Sequence, residues 1–153
     1  MKRILSLIGV VLVVGCGGPE PRDMGTLRGV DGLYLNPEDG QPYSGPVFGE
    51  NNGKRMTGYL RDGKWDGPFE SYHENGQLRR RGTYKDGVED GPVEEYYDNG
   101  QLSSKVIFKD GKRDGPYEFY HENGQLREKG TLKDNEKCGE WLEQGETVTY
   151  DPC

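Results

Sequence analysis

The sequence predicts an all-β protein: an elongated, single-layer antiparallel meander of about ten strands. Three observations point there. Hydrophobic residues make up only 31% of the 153-residue chain, too few for a thick two-layer core. Ten Tyr, four Phe and two Trp set it apart from disordered chains, which are poor in aromatics. A 24-residue period carries turn signals at fixed places, and fixed-period self-similarity is the signature of a repeat architecture.

The period is direct to read. Asp66-Gly67-Pro68 recurs as Asp90-Gly91-Pro92 and Asp114-Gly115-Pro116. Asn75-Gly76-Gln77-Leu78 recurs at Asn99 to Leu102 and Asn123 to Leu126. Lys85-Asp86-Gly87 recurs as Lys109-Asp110-Gly111 and, with Asn for Gly, as Lys133-Asp134-Asn135. Asn is the natural replacement, since it tolerates positive φ. Repeats are placed at about 44–65 (degenerate), 66–89, 90–113, 114–137 and 138–153 (partial), within a repeat domain of residues 32–153.

Each repeat reads as a hairpin. Phe69 to His73 is a strand, with Pro68 at its start. Asn75-Gly76 is the strongest signal for a two-residue type I′ turn. Residues 77–84 return, and Asp86-Gly87 turns into the next repeat. This register places Glu70 opposite Arg81, Glu94 opposite Lys105 and Glu118 opposite Lys129, three opposite-charge pairs of the kind that support a sheet. Tyr72, Arg79 and Thr83 are expected on that polar face. Phe69, His73, Leu78 and Tyr84 are expected on the other, with Gly82 leaving room for the Phe69 ring. Its equivalents are Val93, Tyr97, Leu102 and Phe108, then Tyr117, His121, Leu126 and Leu132.

The unit Asp-Gly-Pro-aromatic-x-x-Tyr-x-x-Asn-Gly-Gln-Leu…Tyr-Lys-Asp-Gly resembles the MORN repeat in its bacterial variant form, a pattern also seen in proteins labelled YwqK-type antitoxins. The resemblance spans roughly residues 32–150. Gly67, Tyr72, Asn75, Gly76, Leu78 and Gly87 carry it. It implies a twisted single sheet of successive hairpins, extending ~45–50 Å at the usual strand spacing. The chain departs from the pattern at both ends: the first repeat lacks the Tyr, and the last lacks the Asn-Gly-Gln-Leu turn.

Residues 1–15 read as a targeting segment. Lys2 and Arg3 precede an apolar run from Ile4 to Val14, too short to span a bilayer and of signal-peptide length. Val13-Val14-Gly15-Cys16 resembles the bacterial lipobox, which implies cleavage before Cys16 and lipidation of that residue. More than one acyl chain gives stable attachment to a membrane. Gly17, where the sorting rule of such lipoproteins looks for Asp, favours the outer membrane. Residues 16–31 are expected to form the lipidated Cys and a flexible tether.

Removal of residues 1–15 leaves 18 basic against 27 acidic residues, a net charge of −9, which disfavours nucleic acid as a partner. Cys138 and Cys153 remain once Cys16 carries lipid. In an oxidising compartment they are expected to pair, with free thiols or a partner in another chain as the alternatives.

No catalytic motif is present: no Gly-x-Ser-x-Gly, CxxC, Walker loop or HExxH. No cofactor or metal is expected. His73 and His121 are 48 residues apart and too many strands apart to share a metal, and the Asp-rich turns lack the spacing of a calcium loop. The expected function is a non-enzymatic, lipid-anchored binding or scaffolding module of the cell envelope. A protein of unspecified identity is its expected partner. The alternatives are an immunity protein that neutralises a toxin and a purely structural envelope protein. Phe69, Tyr72, Tyr84, Tyr96, Tyr97, Phe108, Tyr117 and Tyr120 form the candidate binding surface, because a single-layer sheet cannot bury all its rings.

Overall fold

The computed structural model describes residues 19–51 and 54–153. The expected signal segment, the lipobox-like motif with Cys16 and the Asn52-Gly53 dipeptide lie outside the described residues. The described chain is almost entirely β, with one short 3₁₀ turn at Met24–Thr26. Its strands are β1 (Arg22–Asp23), β2 (Arg28–Val30), β3 (Leu33–Leu35), β4 (Gly45–Asn51), β5 (Lys54–Arg61), β6 (Lys64–Tyr72) and β7 (Leu78–Lys85). They continue as β8 (Val88–Glu89), β9 (Gly91–Tyr96), β10 (Leu102–Lys109), β11 (Lys112–Tyr120), β12 (Leu126–Lys133), β13 (Glu136–Glu143) and β14 (Glu146–Thr149).

Twelve of them form one open sheet, a meander from β4 to β14. Only β1 breaks the antiparallel rule, pairing parallel to β4. β2 and β3 make a separate hairpin. Residues 22–30, within the stretch expected as a tether, thus carry β1, the 3₁₀ turn and β2.

The two ends of the hairpins use different turns. At Asp62-Gly63, Asp86-Gly87, Asp110-Gly111 and Asp134-Asn135, both central residues have positive φ, near 50° for each Asp and 76° to 92° for its successor. Lys85 pairs with Val88 across Asp86-Gly87, a two-residue loop, so these are type I′ turns.

The Asn-Gly turns differ from expectation. Asn75 is absent from the positive-φ residues, and only Gly76, at 84°, is left-handed. His73 N–H donates to Gln77 O at 2.8 Å and Gly76 N–H to His73 O at 2.9 Å, which closes a three-residue loop with Gly in the αL position. One further residue, Arg79, is inserted between the pairs Tyr72–Leu78 and Ser71–Arg80. The longer loop and the bulge cancel, so Glu70 faces Arg81, Glu94 faces Lys105 and Glu118 faces Lys129, as the charges predict. The same bulge overturns one face assignment: Leu78 pairs with Tyr72, and so lies on the charged side rather than with Phe69.

A second difference concerns Pro68. β6 starts at Lys64, immediately after the Asp62-Gly63 turn, so Pro68 lies inside the strand. Gly67, with φ of 120°, and a register shift between Gly58 and Leu60 on β5 accommodate it.

The core is one row running across the sheet. Val47 pairs with Gly58, Gly58 with Phe69 and Phe69 with Gly82. Val93 pairs with Val106, Val106 with Tyr117 and Tyr117 with Gly130. Bulky residues largely alternate with glycine because side chains lie over the glycines: a Cβ on Gly58 would meet the Trp65 ring at 2.5 Å, one on Gly130 would overlap the Trp141 ring, and one on Gly82 would meet Val93 Cγ2 at 2.9 Å, so Gly82 makes room for Val93 rather than for the Phe69 ring expected there. Val93, Val106, Leu132 and Trp141 form the buried cluster, with Phe108, Tyr117 and Tyr150 packed against it. Toward the N-terminal end, Tyr34, Trp65, Phe69 and Tyr84 are linked ring to ring, with centroids 5.3 to 6.1 Å apart.

Candidate functional site

The candidate site is the other side of this sheet. Alternation along each strand sends Phe69 and Ser71 to the packed side and Pro68, Glu70 and Tyr72 to the opposite one. Repetition every 24 residues then draws three parallel rows across the strands. The middle row is charged and alternates in sign: Glu70, Arg81, Glu94, Lys105, Glu118, Lys129, each residue facing the next across a strand pair. One flanking row holds Tyr72, Leu78, Tyr96, Leu102, Tyr120 and Leu126. The other holds Pro68, Thr83, Pro92, Ile107, Pro116 and Thr131.

Each tyrosine serves the glutamate two residues before it. The Tyr72, Tyr96 and Tyr120 hydroxyls donate to Glu70, Glu94 and Glu118 at 2.5, 2.8 and 2.7 Å. Cations complete the units. Arg81 contacts Glu94 at 2.5 Å, Lys105 reaches the same carboxylate at 3.6 Å, and Lys129 reaches Glu118 at 2.8 Å. Arg55 stacks 4.7 Å above the Tyr72 ring centroid and Arg81 lies 5.7 Å from that of Tyr96.

The titration behaviour follows from these contacts. Hydrogen bonds from Lys129 and then Tyr120 hold the Glu118 carboxyl below its ordinary value. Burial alone would raise Glu94, but the Tyr96 and Arg81 hydrogen bonds outweigh it and its carboxyl is also held down. The hydroxyls of Tyr72 and Tyr120 are pushed up, chiefly because they donate to Glu70 and Glu118. For Tyr96, burial leads and the Glu94 bond adds to it.

The glutamates sit low and the cations project. Arg81, Lys105 and Lys129 side chains are 54%, 49% and 58% exposed, against 18% for Glu94. Between the charged row and the prolines runs a shallow groove of about 310 Å³, lined by Pro68, Glu70, Arg81, Thr83, Pro92 and Glu94. Beside it, Pro46, Phe48, Tyr59 and Pro68 line a more apolar depression, and Phe48 is 42% exposed.

The eight aromatics singled out from the sequence do not form one surface. Phe69, Tyr84, Phe108 and Tyr117 lie on the packed side among other rings and core residues. Tyr72, Tyr96 and Tyr120 lie on the charged side. Tyr97 lies at the Asn-Gly turn edge, where its hydroxyl donates to Tyr120 O at 2.6 Å. The residue 24 positions earlier, His73, contacts Tyr96 O through Nε2 at 2.8 Å. Cys138 and Cys153 are joined, with Cα atoms 5.0 Å apart. The proline row was missed in the sequence. Its signal was present: Pro68, Pro92 and Pro116 stand two residues before Glu70, Glu94 and Glu118 and share their side.

Part of this ladder is similar to a known family. The family model described as MORN repeat variant matches residues 65–86, 89–110 and 113–134. Three consecutive MORN-variant repeats therefore form the middle of the sheet. They span β6 to β12 and hold all three Tyr–Glu pairs, while the flanking hairpins continue the sheet beyond the matched segments. No curated protein matches the chain.

Proposed function

We propose that the protein is a non-enzymatic binding or scaffolding module that presents the charged side of its repeat sheet to a protein partner, and that a lipid on Cys16 holds it in the bacterial cell envelope, with the outer membrane favoured. One observation carries the binding role. The Tyr–Glu–cation unit recurs on one side at the strand-pair interval of about 10 Å, its cation tips half-exposed, while the rings of the opposite side are packed on one another. A surface of repeated, preorganised polar units beside exposed proline suits recognition of an extended partner. The lipobox-like Val13-Val14-Gly15-Cys16 supports the anchor.

Two experiments test the two halves separately. A photo-crosslinking residue at Arg81 or Lys105 in cells should give discrete protein adducts, and one at Arg80 or Glu95 on the packed side should not. Equal labelling from both sides, or none from Arg81 and Lys105, overturns the binding surface. Wild type should fractionate with membranes and carry acyl mass, and Cys16→Ser should lose both. An unmodified Cys16 in the mature protein overturns the anchor.

A further inference from the structure

Three turns of identical sequence, Asn-Gly-Gln-Leu, occupy one edge of the sheet, and the structure treats them unequally. In each, the Asn side-chain oxygen accepts from the Gln N–H two residues on, at 2.9 to 3.0 Å. In each, the Gly N–H donates to the carbonyl at the base of the turn. The difference lies in the side-chain amide nitrogen. Asn75 Nδ2 donates to Asp98 O at 2.6 Å and Asn99 Nδ2 to Glu122 O at 3.0 Å, each acceptor lying in the turn of the next repeat. Among the described residues, Asn123 Nδ2 reaches only Gln125 Oε1, at 3.3 Å within its own turn.

The truncated last repeat explains this. Stepping 24 residues from Asp98 and Glu122 leads to Glu146, but the chain has already reversed at Gln144-Gly145, where both residues have positive φ. Gln144 N–H meets Arg127 O instead, and β14 runs back along β13. The second lateral tie ends at the same place. His73 contacts Tyr96 O and Tyr97 donates to Tyr120 O, whereas among the described residues no such contact is made by His121, which is exposed.

We infer that Asn123 is the modification site among these three turns: it converts to aspartate and isoaspartate in the folded protein, while Asn75 and Asn99 are protected by the repeat that follows them. In the first step the Gly124 backbone nitrogen attacks Asn123 Cγ. The N–Cγ bond forms, the Cγ–Nδ2 bond breaks, and ammonia leaves with the proton that the Gly124 nitrogen gives up. The resulting succinimide then takes up water at one of its two carbonyls and reopens as aspartate or isoaspartate. Glycine after the Asn carries no side chain to hinder the attack, and since Gln77 Oε1 lies beside Gly100 as Gln101 Oε1 lies beside Gly124, that contact does not separate Asn99 from Asn123. The Asn side chain must first rotate out of its turn, and local opening governs how often it does. For Asn75 and Asn99 that rotation breaks an inter-repeat hydrogen bond from the nitrogen that must leave. For Asn123 it does not. This inference is independent of the binding role.

The test is site-resolved peptide mapping of the purified full chain during incubation at mildly alkaline pH, with and without denaturing urea. In urea, the three sites should convert at similar rates. In buffer, Asn123 should convert several-fold faster than Asn75 and Asn99. Similar rates in buffer, or conversion led by Asn75 or Asn99, overturn the inference. A second readout needs no reaction: the Nδ2 protons of Asn75 and Asn99 should exchange with solvent more slowly than those of Asn123, and equal exchange removes the proposed cause.

Discussion

Arg81 faces Glu70 across β6 and β7, yet its guanidinium turns forward and binds Glu94 of the next repeat, at 2.5 Å. Glu70 is served by the Tyr72 hydroxyl instead. The charges are therefore not three closed pairs. They form a ladder in which Glu94 receives Arg81 from one side and Lys105 from the other.

Charge reversal tests the ladder. Glu118→Lys sets a cation between Lys105 and Lys129 and removes the Tyr120 acceptor. Since the cations are half-exposed, the loss should be small, ~1 kcal/mol, read from urea midpoints. Adding Lys129→Glu should recover part of it. A double variant as unstable as the sum of both singles would show that the row is not coupled.

Acid should weaken the same row. The Glu94 and Glu118 carboxyls are held below their ordinary value in the fold, so the unfolded chain binds protons first as pH falls. Their contribution is full above the ordinary carboxylate value near 4.5 and is lost as pH drops through their folded values. Carboxyl titration by NMR should place both below that value, and Glu118→Gln should flatten the acid limb of the stability curve.

The glycines beneath rings form a steric series. Gly130→Ala drives a methyl into the Trp141 ring, which is only 1% exposed and cannot swing away. The expected cost is ~1–3 kcal/mol in thermal or urea unfolding. Gly29→Ala, with open space around its Cβ and no positive φ, is the control and should change stability little.

The C-terminal bridge should act on the end of the sheet. Cys138 is buried, Cys153 is the last residue, and between them Tyr150 N–H donates to Gly139 O and Gly139 N–H to Asp151 O, both at 2.9 Å. The bridge closes a 15-residue separation, worth ~3 kcal/mol in the chain-entropy view. Cys138→Ser/Cys153→Ser should melt earlier and, with β14 loosened from β13, self-associate more in sedimentation. Two free thiols in the oxidised wild type, or unchanged melting and sedimentation, would refute the capping role.

Much of this was legible in the sequence, for identifiable reasons. The register could be read because Glu70, Glu94 and Glu118 each meet a cation at the same offset. Gly82 opposite Phe69 announced the glycine row. The Asn-Gly turn was misread because the Asn75 side-chain oxygen accepts from the Gln77 N–H, an alternative to the two-residue turn that leaves only Gly76 left-handed and is shared by all three turns. Leu78 changed side for the same reason: the bulge at Arg79 that moves it offsets a loop one residue longer than the dipeptide suggests. Strand alternation also put Tyr72 with the charges and Tyr84 with Phe69, as found; grouping all eight aromatics into one surface ignored that division.

The lateral bonds described for the turns have an evolutionary consequence. Asp86 N–H rests on the Asp66 carboxylate at 3.3 Å and Asp110 N–H on Asp90 at 3.2 Å, just as Asn75 rests on Asp98 and Asn99 on Glu122. At these turns, units 66–89 and 90–113 present the same Asn donor to the unit that follows, and units 90–113 and 114–137 the same carbonyl acceptor to the unit that precedes. Unequal recombination between two copies of the 24-residue segment would therefore add or remove a whole unit without mismatching these turn bonds, provided the Trp141 and Cys138–Cys153 end of the sheet is kept. Length is the inheritable variable of such a chain, and the reach of its charged side would grow in steps of two strands.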